Sequence, residues 1–244
     1  MSELRERVLT DTPQAAFSAA LAAARTREPG AALLLAQMYM EGKGVVPDPE
    51  SALLWYTVAA GDGDRLAMNM VGRCHELGLG TSADPALAAT WYRLAAEHGL
   101  DWGMYNYANL LATGRGVGAD PRRAFELYLQ AAGMGHAKSM NLVGRHLEEG
   151  IATDSDPIAA VDWYRRAAVA GDFRGQASYA SILLQRGDVD QACGWLERAL
   201  EHGSPNFLSK TLPELAAAAE PRLRELASRH AERIAAVTDA RDQP

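Results

Sequence analysis

The strongest constraint in this sequence is a spacing. Trp55-Tyr56, Trp91-Tyr92, Leu127-Tyr128 and Trp163-Tyr164 recur every 36 residues, and Trp195-Leu196 follows after 32. Other columns keep the same step. Asp48-Pro49, Asp84-Pro85, Asp120-Pro121 and Asp156-Pro157 precede the aromatic pairs, and Asp188 repeats the acid without the proline. Glycine turns recur as Gly42-Lys43-Gly44, Gly78-Leu79-Gly80, Gly114-Arg115-Gly116 and a degenerate Gly150-Ile151-Ala152. A second glycine column runs Gly63, Gly99, Gly135, Gly171 and Gly203. A fixed period of this length means stacked supersecondary units.

Each column has a physical job, and together they predict two helices per unit. Asp at an N-cap accepts hydrogen bonds from the first free backbone N–H groups, and Pro fits the next position, where a missing donor costs nothing. This predicts a helix B beginning near Asp48 and its equivalents. It continues through Ala52, Ala88, Ala124, Ala160 or Ala192, the aromatic pair and a pair of small residues, with i, i+3, i+4, i+7 apolar spacing. The closing glycine supplies the left-handed backbone that ends a helix. Helix A precedes the Gly-x-Gly turn. Its columns Leu35, Val71, Tyr107, Val143, Tyr179 and Ala36, Gly72, Ala108, Gly144, Ala180 place a large residue before a very small one, which predicts a close helix crossing. Such a pair is too short to bury its own apolar face, so the units must stack to make a core.

These residues resemble a known family. Gly-Arg-Gly-Val-x-x-Asp at 114–120, Trp-Tyr-Arg-x-Ala-Ala at 91–96 and 163–168 (Trp-Tyr-Arg-Arg-Ala-Ala in the second), and Met-Tyr-x-x-Gly-x-Gly-Val at 38–45 are similar to Sel1-like repeats, relatives of the tetratricopeptide repeat. The resemblance implies an all-α, right-handed α-solenoid of about five helix-pair repeats with helical caps at both ends. It further implies a protein-binding scaffold or adaptor without catalytic activity. The expected boundaries are an N-terminal cap over 1–29, repeats over 30–63, 64–99, 100–135, 136–171 and 172–204, a C-terminal cap over 205–238 and a loose tail over 239–244. Asp11 to Ala23 repeats the helix B spacing and is the expected N-terminal cap. Thr211-x-x-Glu214 is the expected capping box of a short helix. A longer helix should follow Pro221, with Leu223, Leu226, Ala227, His230 and Ile234 on one stripe.

Composition narrows the function. Lys plus Arg number 24 against 31 Asp plus Glu, a net charge of −7, which argues against a partner recognised through its phosphates. No run approaches the roughly 18–20 apolar residues of a bilayer-spanning helix. The segment before Ala15 mixes acids and bases, unlike the positive flank of an export signal. Cys74 and Cys193 stand three repeat steps apart, too far for a disulfide, which suits the cytoplasm. The Gly-x-Gly turns lack the strand and frame of a phosphate-binding loop. No metal-ligand spacing, nucleophile elbow or opposed carboxylate pair occurs, so no cofactor, metal or catalytic residue is expected. His98 and His202 precede helix-ending glycines, where an imidazole meets free carbonyls.

What the repeat does not explain is the candidate site. Four of the five tryptophans occupy the helix B column, and Trp102 does not. Trp102, Tyr105 and Asn109 share one face of the third helix A. Their equivalents are Leu66, Asn69 and Arg73 in the second unit and Lys138, Asn141 and Arg145 in the fourth. Residues 68–76 and 140–148 are near copies, ending in Glu76 and Glu148. By resemblance to tetratricopeptide arrays this face lines a concave groove. Asn69, Arg73, Glu76, Trp102, Tyr105, Asn109, Lys138, Asn141, Arg145 and Glu148 are therefore candidate partner-binding residues, fit to hold a linear peptide by an aromatic anchor and arginine-carboxylate forks. The alternative is that Arg73 and Arg145 pair with Glu76 and Glu148 on a solvated face while Trp102 packs at a helix start. A second functional reading is a regulatory or accessory subunit associating through its caps. Expected partners are proteins or peptides, with no nucleic acid and no membrane insertion, and the chain a monomer or weak homo-oligomer.

Overall fold

The computed structural model of the chain describes residues 12–241. Among the described residues there are thirteen helices and no strand. They are α1 (Pro13–Arg25), α2 (Ala31–Glu41), α3 (Pro49–Gly61), α4 (Arg65–Leu77), α5 (Pro85–Glu97), α6 (Asp101–Thr113), α7 (Pro121–Gly133), α8 (Ala137–Glu149), α9 (Pro157–Val169), α10 (Phe173–Gln185), α11 (Val189–His202), α12 (Pro205–Ala216) and α13 (Pro221–Arg241). The chain is an all-α repeat protein of the solenoid class, built of consecutive helix pairs. It divides into two compact units between Ala131 and Ala132, near the end of α7. In the first unit each helix from α1 to α6 packs on the next. In the second, α8 packs on α9, α9 on α10, α10 on α11 and α12 on α13, with further contacts of α8 with α10 and α11 with α13.

The helix starts follow from the Asp-Pro columns. Asp48 accepts from the Ser51 N–H at 3.1 Å, Asp84 from Ala86 and Leu87 at 3.0 Å, Asp120 from Arg123 at 3.0 Å and Asp156 from Ala159 at 3.0 Å. Each such cap is worth about 1 kcal/mol. The alanine column behind them is fully buried, as are Tyr56, Tyr92, Tyr128 and Tyr164, whose rings fill the space that the alanines leave between helices. The small helix A column has a matching cause. A Cβ on Gly72 would lie 2.7 Å from Cδ1 of Tyr92, and one on Gly144 2.8 Å from Cδ1 of Tyr164.

The second glycine of each turn answers to its neighbour. A Cβ on Gly80 would stand 2.2 Å from the Pro49 carbonyl oxygen, and Gly80 has a φ of +71°. The turn thus lies against the start of the preceding helix B, where no side chain fits and the left-handed backbone suits only glycine. Ala152 replaces this glycine in the fourth repeat and still adopts a φ of 61°.

Several local expectations need correction. Asp11 lies outside the described residues, and Thr12 caps α1, with Pro13 in the first turn. Gly203 is extended, with φ −66° and ψ 142°, because the chain passes directly into a Ser204-Pro205 cap and the Phe207 ring crowds it. That cap starts α12 seven residues before Thr211, so Thr211 and Glu214 lie inside a helix rather than in a capping box. Leu223, Leu226, Ala227 and His230 are buried as one stripe, but Ile234 is largely exposed. Helix α13 reaches Arg241, past the residue-239 start expected for the tail.

Candidate functional site

In the first unit the candidate residues lie on α4 and α6. Helix α6 begins differently from its counterparts. Asp64 and Asp172 cap α4 and α10 with their side chains, while Leu100 at the same position cannot. Asp101 accepts the Trp102 backbone N–H at 2.8 Å instead. Trp102 stands at this start 42% exposed, in edge contact with Tyr105 at a centroid separation of 6.0 Å. Tyr105 meets Tyr128 at 6.3 Å. The Tyr128 hydroxyl donates to Asn109 Oδ1 at 2.7 Å, which ties the aromatic row to α6. Leu66, one repeat earlier in the Trp102 column, is also exposed.

Two bridges join α4 to the third repeat. The Asn106 amide donates to Asn69 Oδ1 at 2.8 Å, and Arg115 forms an ion pair with Glu76. Glu76 also accepts the Tyr92 hydroxyl at 2.6 Å. Burial raises the Tyr92 phenol far above its ordinary range, and nearby Arg73 pulls it partly back. Tyr92 is therefore a fixed donor, and Glu76 is held from two sides. Arg73 is exposed, and among the described residues it makes no ion pair. The expected Arg73–Glu76 pair does not form, because Arg115 and Tyr92 occupy the carboxylate. The result is an exposed aromatic edge and an unpaired guanidinium on one pair of helices, with the polar groups around them already bonded.

In the second unit the copied segment is arranged on α8. Asn141 is buried and accepts the Ser178 hydroxyl at 3.3 Å. Glu148 accepts the Tyr164 hydroxyl at 2.6 Å. Arg145 is exposed without an ion pair among the described residues, so the expected Arg145–Glu148 pair is also absent. Lys138 is half-buried and acts electrostatically on Asp172. Asn69, Asn109 and Asn141 thus accept helix-to-helix bonds through their side-chain oxygens. Asn106 and Arg115 were missed in the sequence. Arg115 was absorbed into its Gly-x-Gly turn, although its spacing of 39 residues from Glu76 is one repeat plus one helical turn's reach.

The remaining reactive groups are structural. The buried Cys74 thiol is pushed up to about 11 by desolvation, which keeps it protonated and unreactive near neutrality. Cys193 is half-buried, in a cleft with Arg222 and Arg229. His98 and His202 place Nδ1 at 2.9 and 3.0 Å from the carbonyls of Leu94 and Arg198, as helix-end imidazoles should. Among the described residues no three His, Cys, Asp or Glu side chains converge as metal ligands, and no helix is long and apolar enough to cross a membrane.

Comparison with known proteins places this geometry. The Sel1 repeat profile matches residues 29–64, 65–100, 103–136, 137–172 and 176–204. The chain belongs to the Sel1 repeat family. A Sel1 repeat protein from Oxalobacter formigenes is 25% identical in sequence, with a TM-score of 0.80 over 95% of this chain and 98% of that one. The c5321 protein, a protective antigen of uropathogenic Escherichia coli strains displaying an SLR fold, is 30% identical, with a TM-score of 0.74 over 91% of this chain. The chain spans 50% of that antigen's length. The immunity protein Pa5087 from Pseudomonas aeruginosa shares the fold at 15% identity and a TM-score of 0.55 over 81% of this chain and 80% of that one. No curated protein is significantly similar in sequence. Sel1 repeats are generally protein-interaction scaffolds and typically non-catalytic.

Proposed function

We propose that the chain is a non-enzymatic binding protein that holds a linear peptide segment of its partner on the helix A face of its first unit, across α4 and α6. The observation that carries this reading is Trp102. It is the tryptophan outside the repeat column, it stands 42% exposed, and Tyr105 supports it edge-on. Aromatic edges of this kind dominate binding hot spots because they bury much area at little rotamer cost. Leu66 extends the apolar surface, and Arg73 offers an unpaired fork for a partner carboxylate. The ligand is therefore an extended segment with an aromatic or large aliphatic anchor and an acid a few residues away. Arg145 on α8 is a second fork of the same kind. The same reading places the protein in the cytoplasm, where Cys74 and Cys193 remain free thiols.

The test is selection of peptides from a random display library against the whole chain, followed by affinity measurement. Selected peptides should carry the anchor-and-acid pattern. Trp102→Ala should weaken them by about 2 kcal/mol or more, about thirtyfold. Arg73→Ala should cost less and flatten the salt dependence. Peptides that bind wild type and Trp102→Ala equally would refute the reading.

A further inference from the structure

The end of each repeat at which helix A starts and helix B finishes has a changing chemistry. In the first repeat Gly30 and Val58 line one cleft of about 540 Å³ at this end. The same two columns read Leu66 and Leu94 in the second repeat and Trp102 and Gln130 in the third. In the fourth they become Lys138 and Arg166, and in the fifth Arg174 and Arg198. These two columns, uncharged in the first three repeats, carry four cations in the second unit.

Three of these cations are held ready. The Arg166 guanidinium lies 4.0 Å from the Trp163 ring centroid, Arg174 4.6 Å from Phe173 and Arg198 4.7 Å from Trp195. Among the described residues none of the three makes an ion pair or a side-chain hydrogen bond. Carboxylates in the same unit are engaged elsewhere: Asp162 with Arg165, Asp190 with Arg222, Glu197 with Arg229 and Glu201 with Arg233. Asp172, on which Arg174 and Lys138 act electrostatically, is a further acid at this end. It is buried and occupied in capping Gly175 at 2.8 Å. A guanidinium lying over a ring keeps N–H groups open to solvent, and the ring contact has already removed part of the rotamer freedom that binding would cost.

We infer that this edge of α9, α10 and α11 is a second docking surface, which takes an acidic linear segment of a partner protein. The partner's carboxylates fork onto Arg166, Arg174 and Arg198. A protein segment is favoured over a nucleic acid because the chain belongs to a family of repeats that generally act as protein-interaction scaffolds. This inference rests on the chain being an interaction protein, but not on the Trp102 surface.

The experiment is fluorescence anisotropy of the full chain with a labelled peptide of about ten alternating Glu and Asp residues, long enough to span the two repeats. A labelled oligouridylate of the same length is the second probe. The peptide should bind wild type and Trp102→Ala alike and weaken about tenfold between about 50 and about 250 mM salt. The Arg166→Gln, Arg174→Gln, Arg198→Gln triple variant should lose about tenfold or more in affinity with its helical signal intact. Replacing the same three by Lys keeps the charge and loses the stacked fork, so about threefold weaker binding is expected, and this variant decides if the Gln variant does not fold. Undiminished binding in the charge-removed or Lys variant, loss in Trp102→Ala, no binding to wild type, or oligouridylate binding as tight as the peptide would each overturn the proposal.

Discussion

Residues 68–76 and 140–148 are near copies in sequence, yet their helices are held by different neighbours. On α4, Asn69 takes the Asn106 amide and Glu76 takes both Tyr92 and Arg115. On α8, Asn141 takes the Ser178 hydroxyl and Glu148 takes Tyr164. The residue 39 positions after Glu148 is Gly187, so the bridging arginine has no counterpart. The contacts that the copies do share lie within the repeat, where Gly72 and Gly144 receive the rings of Tyr92 and Tyr164, and Glu76 and Glu148 accept the hydroxyls of the same tyrosines. A repeat therefore carries its internal contacts with it, while its polar bonds across to the next repeat are set by what that repeat presents. The third repeat replaces the shared internal bond. It has Ala112 where Glu76 and Glu148 stand, and Tyr128 bonds instead to Asn109, one helical turn away.

The largest effect should fall on the shared ring contact. Gly72→Ala and Gly144→Ala should each destabilise the protein by about 2 kcal/mol, because the added carbon meets a buried ring that cannot step aside. Denaturant titration should find the two costs equal within error, and unequal costs would mean that the copies do not pack alike. Glu76→Ala should then cost about 1.5 kcal/mol and Glu148→Ala about 1 kcal/mol, since both strand a buried tyrosine hydroxyl and the first also removes the half-exposed ion pair with Arg115. Adding Arg115→Ala to each background should cost almost nothing beside Glu76→Ala and a few tenths of a kcal/mol beside Glu148→Ala.

A smaller difference separates the units in acid. His146 and His230 are buried in the second unit, and desolvation holds both imidazoles below their usual value of 6.5. Arg233 and Arg229 lower His230 further, against Glu197 and Glu201 across from it on α11. Because the folded value is depressed, the unfolded chain takes up the proton first. Their contribution to stability is complete above about pH 6.5, the unfolded value, and is lost as pH falls toward the folded values. Hydrogen-exchange protection, measured against the intrinsic rate at each pH, should fall in α8 and α13 between about pH 7.5 and 5.5 more than in α4, and His230→Gln should reduce the change in α13. Smallest of all, Ala152→Gly should stabilise by about 0.5–1 kcal/mol by relieving a left-handed alanine, whereas Gly80→Ala in the equivalent turn should be damaging. Thermal melts of both variants give the comparison.

The helices and their starts were legible because each is dictated locally. An Asp-Pro step satisfies free N–H groups wherever it occurs, and recurrence at 36 residues separates the signal from coincidence. The exposure of Trp102 was not legible, because it depends on how α6 begins. Leu100 supplies no cap, and the same columns allow either a packed or a projecting ring. The partners of Glu76 and Asn69 were also hidden. Pairing by i, i+3 within one helix was the natural expectation, but Arg115 and Asn106 come from the next repeat, and a single helix carries no record of its neighbour. The misplaced capping box at Thr211 has a similar cause, since Ser204-Pro205 directly after the last repeat starts α12 first.

The claim that the first unit's helix A face meets the partner is tested most directly by hydrogen exchange of the full chain with and without a selected peptide bound. Exchange should slow in α4 and α6, over residues 65–77 and 101–113, and stay unchanged in α12 and α13. Protection confined to α12 and α13, or to α1, would contradict this account and assign binding to the terminal caps.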